Sequence, residues 1–353
     1  MAKRSPVIPA CIAACLLISL LFTSACVTLA ADLPAPAEDG AAANPAQTVT
    51  PRPTATPTPT ATPEPEPTPF SVAWMTDTQE YVANNKDVFC SMTQWIADTT
   101  KERNTLLTIH TGDIIRSIDY QYQIDNMNEA FSYIPDDMMI VTVAGNHDHV
   151  AYGNEFTPYL WNRPDTNVEE ENTLYDGFVY YMTFEAGNVR YLVVSISYGF
   201  ELLARDWVNQ VCEQYSDHYA ILCLHSYLTK SDYSTVGVRY IKDVVEPSPN
   251  IRLVLCGHIH GVAYLPEEID DDGDGIPERT VNQMLFNMQG DSDDGLGFMR
   301  MLEFDTQADT IGVYTYSPYL DVEGYDGKSN DGFGANHTIE NAGLSEFRMQ
   351  PEG

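Results

Sequence analysis

Positive charge is the scarcest feature of this sequence: 18 lysines and arginines stand against 51 aspartates and glutamates in 353 residues, a net charge of −33. Nearly all of that acidity falls from Phe70 onward. With no basic patch to displace counterions, the chain lacks the footprint of a nucleic-acid binder. The same shortage argues against docking on anionic lipid headgroups and suits an extracellular, cation-rich setting. Cysteine is sparse as well: there are seven, none in Cys-x-x-Cys spacing, which argues against a zinc knuckle or a dithiol redox motif. Cys223 and Cys256 lie in β-prone runs and read as buried apolar thiols, with a disulfide as the alternative in an exported chain. Long hydrophobic runs are missing too. The one apolar stretch, Val7 to Phe22, is shorter than the roughly twenty residues of a comfortable membrane span.

That stretch follows Lys3 and Arg4 and precedes small residues, the order of a secretory signal over residues 1–31. The segment Phe22-Thr23-Ser24-Ala25-Cys26 resembles a bacterial lipoprotein processing site with Cys26 as lipid acceptor, although Thr23 stands where a larger aliphatic is usual. Ordinary cleavage near Ala30 or Ala31 is the alternative. Residues 32–69 are mostly Ala, Pro, Thr and Glu, and their alternating prolines block both helix and sheet. They read as an extended spacer. Residues 70–353 then form one large domain, secreted or displayed on the outer face of a bacterial membrane or cell wall, with the membrane touched only through the N-terminal anchor or a lipid.

Within that domain, residues 70–75, 105–110, 138–144, 219–225 and 251–258 are short β-prone runs. Amphipathic spacing predicts helices over 86–103 and 201–215, and a shorter one marked by Val238, Ile241 and Val245. Residues 178–184 and 189–197, joined at Gly187-Asn188, predict a hairpin. Three further β-prone stretches lie around 280–287, 298–304 and 310–316. Alternating β and α followed by antiparallel pairs predicts an α/β fold, a four-layer α/β/β/α sandwich of two mixed sheets.

Each of the five α/β strand runs ends in a polar cluster. In order these are Asp77-Thr78-Gln79, His110-Thr111-Gly112-Asp113, Gly145-Asn146-His147-Asp148, His225, and Gly257-His258-Ile259-His260. Only eight histidines exist, and five of them fall here. Ligand sites in α/β sheets gather at the carboxyl ends of strands, so the clusters can converge. Hard oxygens beside imidazole nitrogens suit Mn, Fe or Zn, and seven such ligands suit two ions better than one. The glycines at 112, 145 and 257 allow tight turns around such a centre.

This order of motifs resembles the calcineurin-like metallophosphoesterase family over roughly Phe70 to Tyr319. The resemblance implies hydrolysis of phosphate monoesters or diesters at a binuclear centre, with a metal-bound hydroxide as nucleophile. It implies Asp77, Gln79 and His260 on one ion, Asn146, His225 and His258 on the other, and Asp113 bridging both. It gives His147 the role of donor to the substrate phosphate or leaving oxygen, with Asp148 orienting its ring. Gln79 stands where histidine is commoner, as in an exported D-x-Q variant, and Arg116 stands where Asp or Asn is frequent. A rival reading is a surface adhesion or cell-wall-binding protein whose metal site has degenerated.

A second acidic motif runs from Asp270 to Glu278. Asp270, Asp272 and Asp274 with Gly275 begin like a calcium loop, while Val281 occupies the position where an EF-hand needs a bidentate Glu. Calcium at Asp270, Asp272, Asp274 and Glu278 is one reading and a polar hairpin tip the other. Trp161, Arg163, Tyr175, Tyr180 and Tyr181 either line a substrate cleft or belong to the core. Oligomeric state is not legible.

Overall fold

The computed structural model describes residues 68–148, 168–289, 296–324 and 336–350. The segments expected as signal and spacer, up to residue 67 and including Cys26, and His149, Trp161 and Arg163 lie outside the described residues.

In chain order the strands are β1 (Phe70–Met75), β2 (Thr105–His110), β3 (Met139–Thr142), β4 (Thr173–Leu174), β5 (Val179–Ala186), β6 (Val189–Ile196), β7 (Tyr219–Leu224), β8 (Ile251–Cys256), β9 (Gly261–Tyr264), β10 (Glu267–Ile269), β11 (Arg279–Asn287), β12 (Met299–Asp305), β13 (Thr310–Ser317), β14 (Val322–Glu323) and β15 (His337–Glu340). The helices are α1 (Gln79–Asn84), α2 (Lys86–Arg103), α3 (Gln121–Phe131), α4 (Glu201–Gln214) and α5 (Thr235–Tyr240), the last running into a π turn over Ile241–Val245.

Strand β1 shows how the layers arise. All six of its residues are buried, and side chains alternate between faces with a period of two. Phe70, Val72 and Trp74 enter a core shared with strands of the other sheet, while Ala73 and Met75 pack beneath helices. A strand buried on both faces reads as a continuous apolar run, as FSVAWM does. Among the described residues one sheet runs β14-β13-β12-β1-β2-β3 with β15 beside β13, and the other runs β10-β11-β8-β7-β6-β5-β4 with β9 beside β11. The β1-β2-β3 and β6-β7-β8-β11 blocks are parallel and the outer pairings antiparallel. Helices α1–α3 cover the first sheet and α4–α5 the second, which gives the four layers.

Helix α2 forms because Val88, Met92 and Ile96 recur every fourth residue on one buried stripe. It stops at Asn104, whose left-handed backbone closes the last turn. Helix α5 starts at Ser234, whose hydroxyl accepts from Gly237 N at 3.1 Å. The β5–β6 hairpin turns through Gly187 and Asn188, both at positive φ as a two-residue turn of this hand requires. Helix α3 sets Ile124, Met127 and Phe131 at helical spacing toward the core, and a glutamine completes its buried face. Gln123 is buried since its Oε1 accepts the amides of Arg116 and Ser117, each at 3.0 Å.

Register delivers the site. Met75 pairs with His110 and His110 with Thr142, so β1, β2 and β3 end level. Leu224 pairs with Cys256 and Cys256 with Leu285, so β7, β8 and β11 end level in the other sheet. The two edges are tied where Tyr198 N donates to the Ala144 carbonyl at 2.8 Å. No helix among the described residues is long and apolar enough to cross a membrane. Cys90, Cys212, Cys223 and Cys256 are buried and free, so no disulfide joins the described cysteines.

Candidate metal centre

The loops after the strands are built tightly enough to leave no room for a methyl group at three glycines. A Cβ on Gly145 would lie 2.2 Å from Asp113 Oδ1, one on Gly257 would lie 2.3 Å from Asp77 Oδ2, and one on Gly112 would lie 2.5 Å from His225 Nδ1. Asp77, Asp113 and His258 themselves hold positive φ, at 51°, 54° and 70°. Such backbone costs about 1–3 kcal/mol per residue and persists where surroundings enforce it, as at functional sites.

Four predicted ligands meet directly. His225 Nε2 stands 3.3 Å from Asp113 Oδ2, 3.1 Å from Asn146 Oδ1 and 3.2 Å from His258 Nδ1. The other His225 nitrogen, Nδ1, donates to the Thr111 carbonyl at 2.8 Å. That bond leaves Nε2 of the neutral ring as a bare lone pair, the form a metal ligand needs. Oxygens and nitrogens that all accept then face one another, each costing about 1–3 kcal/mol unless a cation comes between. The neighbouring Gln79 Oε1 is buried without a hydrogen-bond partner. The donor set therefore fits metal ions: Asp113, Asn146, His225 and His258 would hold one, and Asp77, Gln79, Asp113 and His260 the other.

Protonation follows the same logic. Burial pulls His225 down, but the hydrogen bond and charge of Asp113 win and push it up to about 9. For Asp113 burial works upward, yet His225 and the His147 amide hold the carboxyl below its ordinary value. The proton on His225 takes the place a cation would fill. Burial, reinforced by the His225 charge, pushes His258 down to about 4, and burial raises Asp77 to about 7.

The first-ion set is gathered differently. Asp77 Oδ2 accepts from Thr76 Oγ1 at 2.6 Å and from His258 N at 3.1 Å. Gln79 is the first residue of α1, and its Nε2 donates to Asp113 Oδ2 at 3.3 Å. His260 is exposed and its Nε2 donates to Gln289 Oε1 at 3.2 Å.

Asp148 corrects the expectation that it orients the His147 ring. It is fully buried; Oδ1 accepts from Ile114 N and Ile115 N at 2.9 and 3.0 Å, and Oδ2 accepts from Gly145 N at 2.8 Å. It ties two ligand loops together, and burial with the nearby Asp113 charge raises it to about 8. His147 is exposed at the mouth; its amide donates to Asp113 Oδ1 at 2.8 Å and its Nδ1 to the Arg116 carbonyl at 3.3 Å. His110 buttresses the site, bonded to Thr78 Oγ1 and Gly112 N, and burial pushes it down to about 3. Arg116 pairs with Glu80 at 3.1 Å on the surface. Tyr180 and Tyr181 are core residues.

Two residues at the site carry no motif. Tyr198, after β6, sets its ring 5.9 Å from His225 and 5.6 Å from His258. Gln289, after β11, accepts from both Gln79 and His260. Position after a level strand end was the available signal for each. In the acidic loop, carboxylate oxygens of Asp270, Asp272, Asp274 and Glu278 come within 4.8 Å of one another, all exposed. Asp270 there accepts the amides of Gly273, Asp274 and Gly275, and Asp271 turns away to Arg279.

The profile of the family described as calcineurin-like phosphoesterase matches residues 70–262. The chain belongs to the calcineurin-like phosphoesterase family. The family is typically binuclear, in keeping with the Asp113, His225 and His258 group. Over 265 residues the chain is 33% identical to the uncharacterized protein YvnB of Bacillus subtilis (strain 168); the match takes in 72% of this chain and 20% of YvnB, about a fifth of that protein's length. A purple acid phosphatase from yellow lupin seeds is similar at 13% identity and a TM-score of 0.48, covering 78% of this chain and 54% of that one. A dimetal phosphatase from Danio rerio is similar at 9% identity and a TM-score of 0.47, covering 77% of this chain and 99% of that one.

Proposed function

We propose that this protein is an exported hydrolase of phosphate monoesters or diesters that works with two divalent ions. The observation that supports the reading most is the meeting of Asp113, Asn146, His225 and His258 acceptor atoms at 3.1–3.3 Å around His225 Nε2. Bound there, the ions would supply Lewis-acid activation of water and neutralise charge on the phosphoryl group. Asp113 would link the two ions, held in place by the His147 amide. The Arg116 carbonyl holds the His147 ring by its Nδ1–H, so Nε2 is the atom assigned to hand a proton to the leaving oxygen; the ring enters that step as the imidazolium and leaves it neutral, still protonated on Nδ1. Thr111 keeps His225 in the tautomer that presents Nε2. Asp148 keeps the Asp113 and Asn146 loops in contact from below.

Export by the N-terminal signal, with or without a lipid on Cys26, fits the acidity of the domain and the proline-rich spacer. A degenerate adhesion module would not need this set of converging acceptors. The deciding experiment assays the purified protein against a panel of phosphomonoesters and phosphodiesters with Mn, Fe, Zn and Mg supplied separately. Metal-dependent turnover of at least one ester class is the expected result; none with any metal overturns the reading.

A further inference from the structure

Gln289 stands beyond the segment that matches the family profile, in the turn after β11. It reaches the site because β11 runs parallel to β8 and ends level with it. Its side-chain Oε1 accepts two donors, Gln79 Nε2 at 3.1 Å and His260 Nε2 at 3.2 Å. Its backbone is anchored in turn: Gln289 N donates to Asn287 Oδ1 at 2.8 Å, and Asn287 Nδ2 donates to the His258 carbonyl at 3.2 Å. The chain of amides thus joins β11 to both histidines of the Gly257–His260 motif.

The consequence falls on Gln79. Its amide has two N–H bonds to give, and they go to Gln289 Oε1 and Asp113 Oδ2. The Gln79 Oε1 is left buried with no partner. Reversing that amide would set its oxygen against two acceptors, Gln289 Oε1 and Asp113 Oδ2, which is repulsive. Reversing Gln289 alone would set its NH₂ against the NH₂ of Gln79, which is repulsive as well. This arrangement leaves two buried groups without a partner, the Gln289 NH₂ and the Gln79 carbonyl oxygen, and a cation beside the oxygen would relieve the latter.

We propose that Gln289 is a positioning residue that locks the Gln79 amide with its oxygen committed to the first ion. It thereby biases that ion toward a hard, oxygen-preferring cation such as Mn²⁺ over Zn²⁺. The inference rests on the two-ion reading given above.

Calorimetric titration of chelator-stripped full-length protein with Mn²⁺, and separately with Zn²⁺, tests it. Wild type is expected to bind two Mn²⁺ ions. Gln289→Met keeps length and volume but loses the acceptor; it should weaken the first-site Mn²⁺ by about tenfold or more, as loss of a ligand's supporting partner does, and narrow the Mn²⁺/Zn²⁺ preference. The second ion should bind unchanged. Gln289→Glu keeps an acceptor oxygen and should restore the lost Mn²⁺ affinity, a rescue that a merely structural role would not require. Two ions in wild type with identical Mn²⁺ binding in Gln289→Met overturn the inference alone, as does failure of Gln289→Glu to rescue in a protein of normal melting temperature. Fewer than two ions in wild type overturn the two-ion reading itself.

Discussion

His147 and Asp148 are neighbours in the chain with opposite surroundings, and the contrast assigns their work. His147 is exposed at the mouth and bonded through its backbone amide and Nδ1, which leaves Nε2 available to a substrate. Asp148 is sealed beneath it on three backbone amides. His147→Ala should therefore lower kcat by about 10²–10⁴-fold, the usual worth of a proton donor, with bound metal near normal. Steady-state kinetics beside metal analysis on one preparation checks this; a large loss of metal would make His147 a structural residue instead. The motif residues were legible from type and order alone, since few chemistries need Asp, Asn and His together at strand ends. Tyr198 and Gln289 were not, because a lone tyrosine or glutamine after a strand carries no chemistry until register places it beside His258 or His260.

At the scale of elements, the turns after the strands and the helix that follows β6 carry testable consequences. Gly145→Ala would put a Cβ 2.2 Å from Asp113 Oδ1 and 2.3 Å from Asp113 N, so both the carboxylate and the backbone that carries it must shift. Metal titration of Gly145→Ala should show the bridging position weakened at both ions, with secondary structure by circular dichroism unchanged. Glu201 opens α4, is buried, and has an Oε1 without a hydrogen-bond partner; burial raises its carboxyl to about 7 despite amides from Glu201 and Gly199. An unfolded glutamate loses its proton near about 4.3, so between these values the folded chain binds more protons than the unfolded one. The resulting stability is full below the unfolded value and lost as pH rises to about 7. Glu201→Gln stays neutral, so its melting temperature should match wild type near pH 4 and exceed it by a few degrees at pH 8. A gap that does not change with pH would contradict the assignment. Strands such as FSVAWM were readable as continuous apolar runs, and helix α2 because burial imposes a period on its sequence. The short strands β9, β10 and β15 were not, because they are set by their long-range partners, nor was the burial of Gln123 in α3, which its hydrogen bonds impose.

For the whole molecule, the two-sheet sandwich explains how residues as far apart in sequence as Asp77 and His260 reach one edge: the parallel block of each sheet ends level there. The layer order was legible from the alternation of β and α runs, whereas the pairing of β12 beside β1 needed the tertiary structure. The net charge of −33 bears on the centre as well, because an acidic body concentrates divalent cations. We propose that this site works only with a pair of ions joined through Asp113. The most direct test adds Mn²⁺ back to chelator-stripped protein, with bound metal and phosphoester hydrolysis measured on the same samples. The account predicts no turnover without metal, two ions per chain at saturation, and activity rising with the second ion, while Asp113→Ala holds at most one ion and does not turn over. Full turnover by the stripped protein, or by Asp113→Ala, would contradict it.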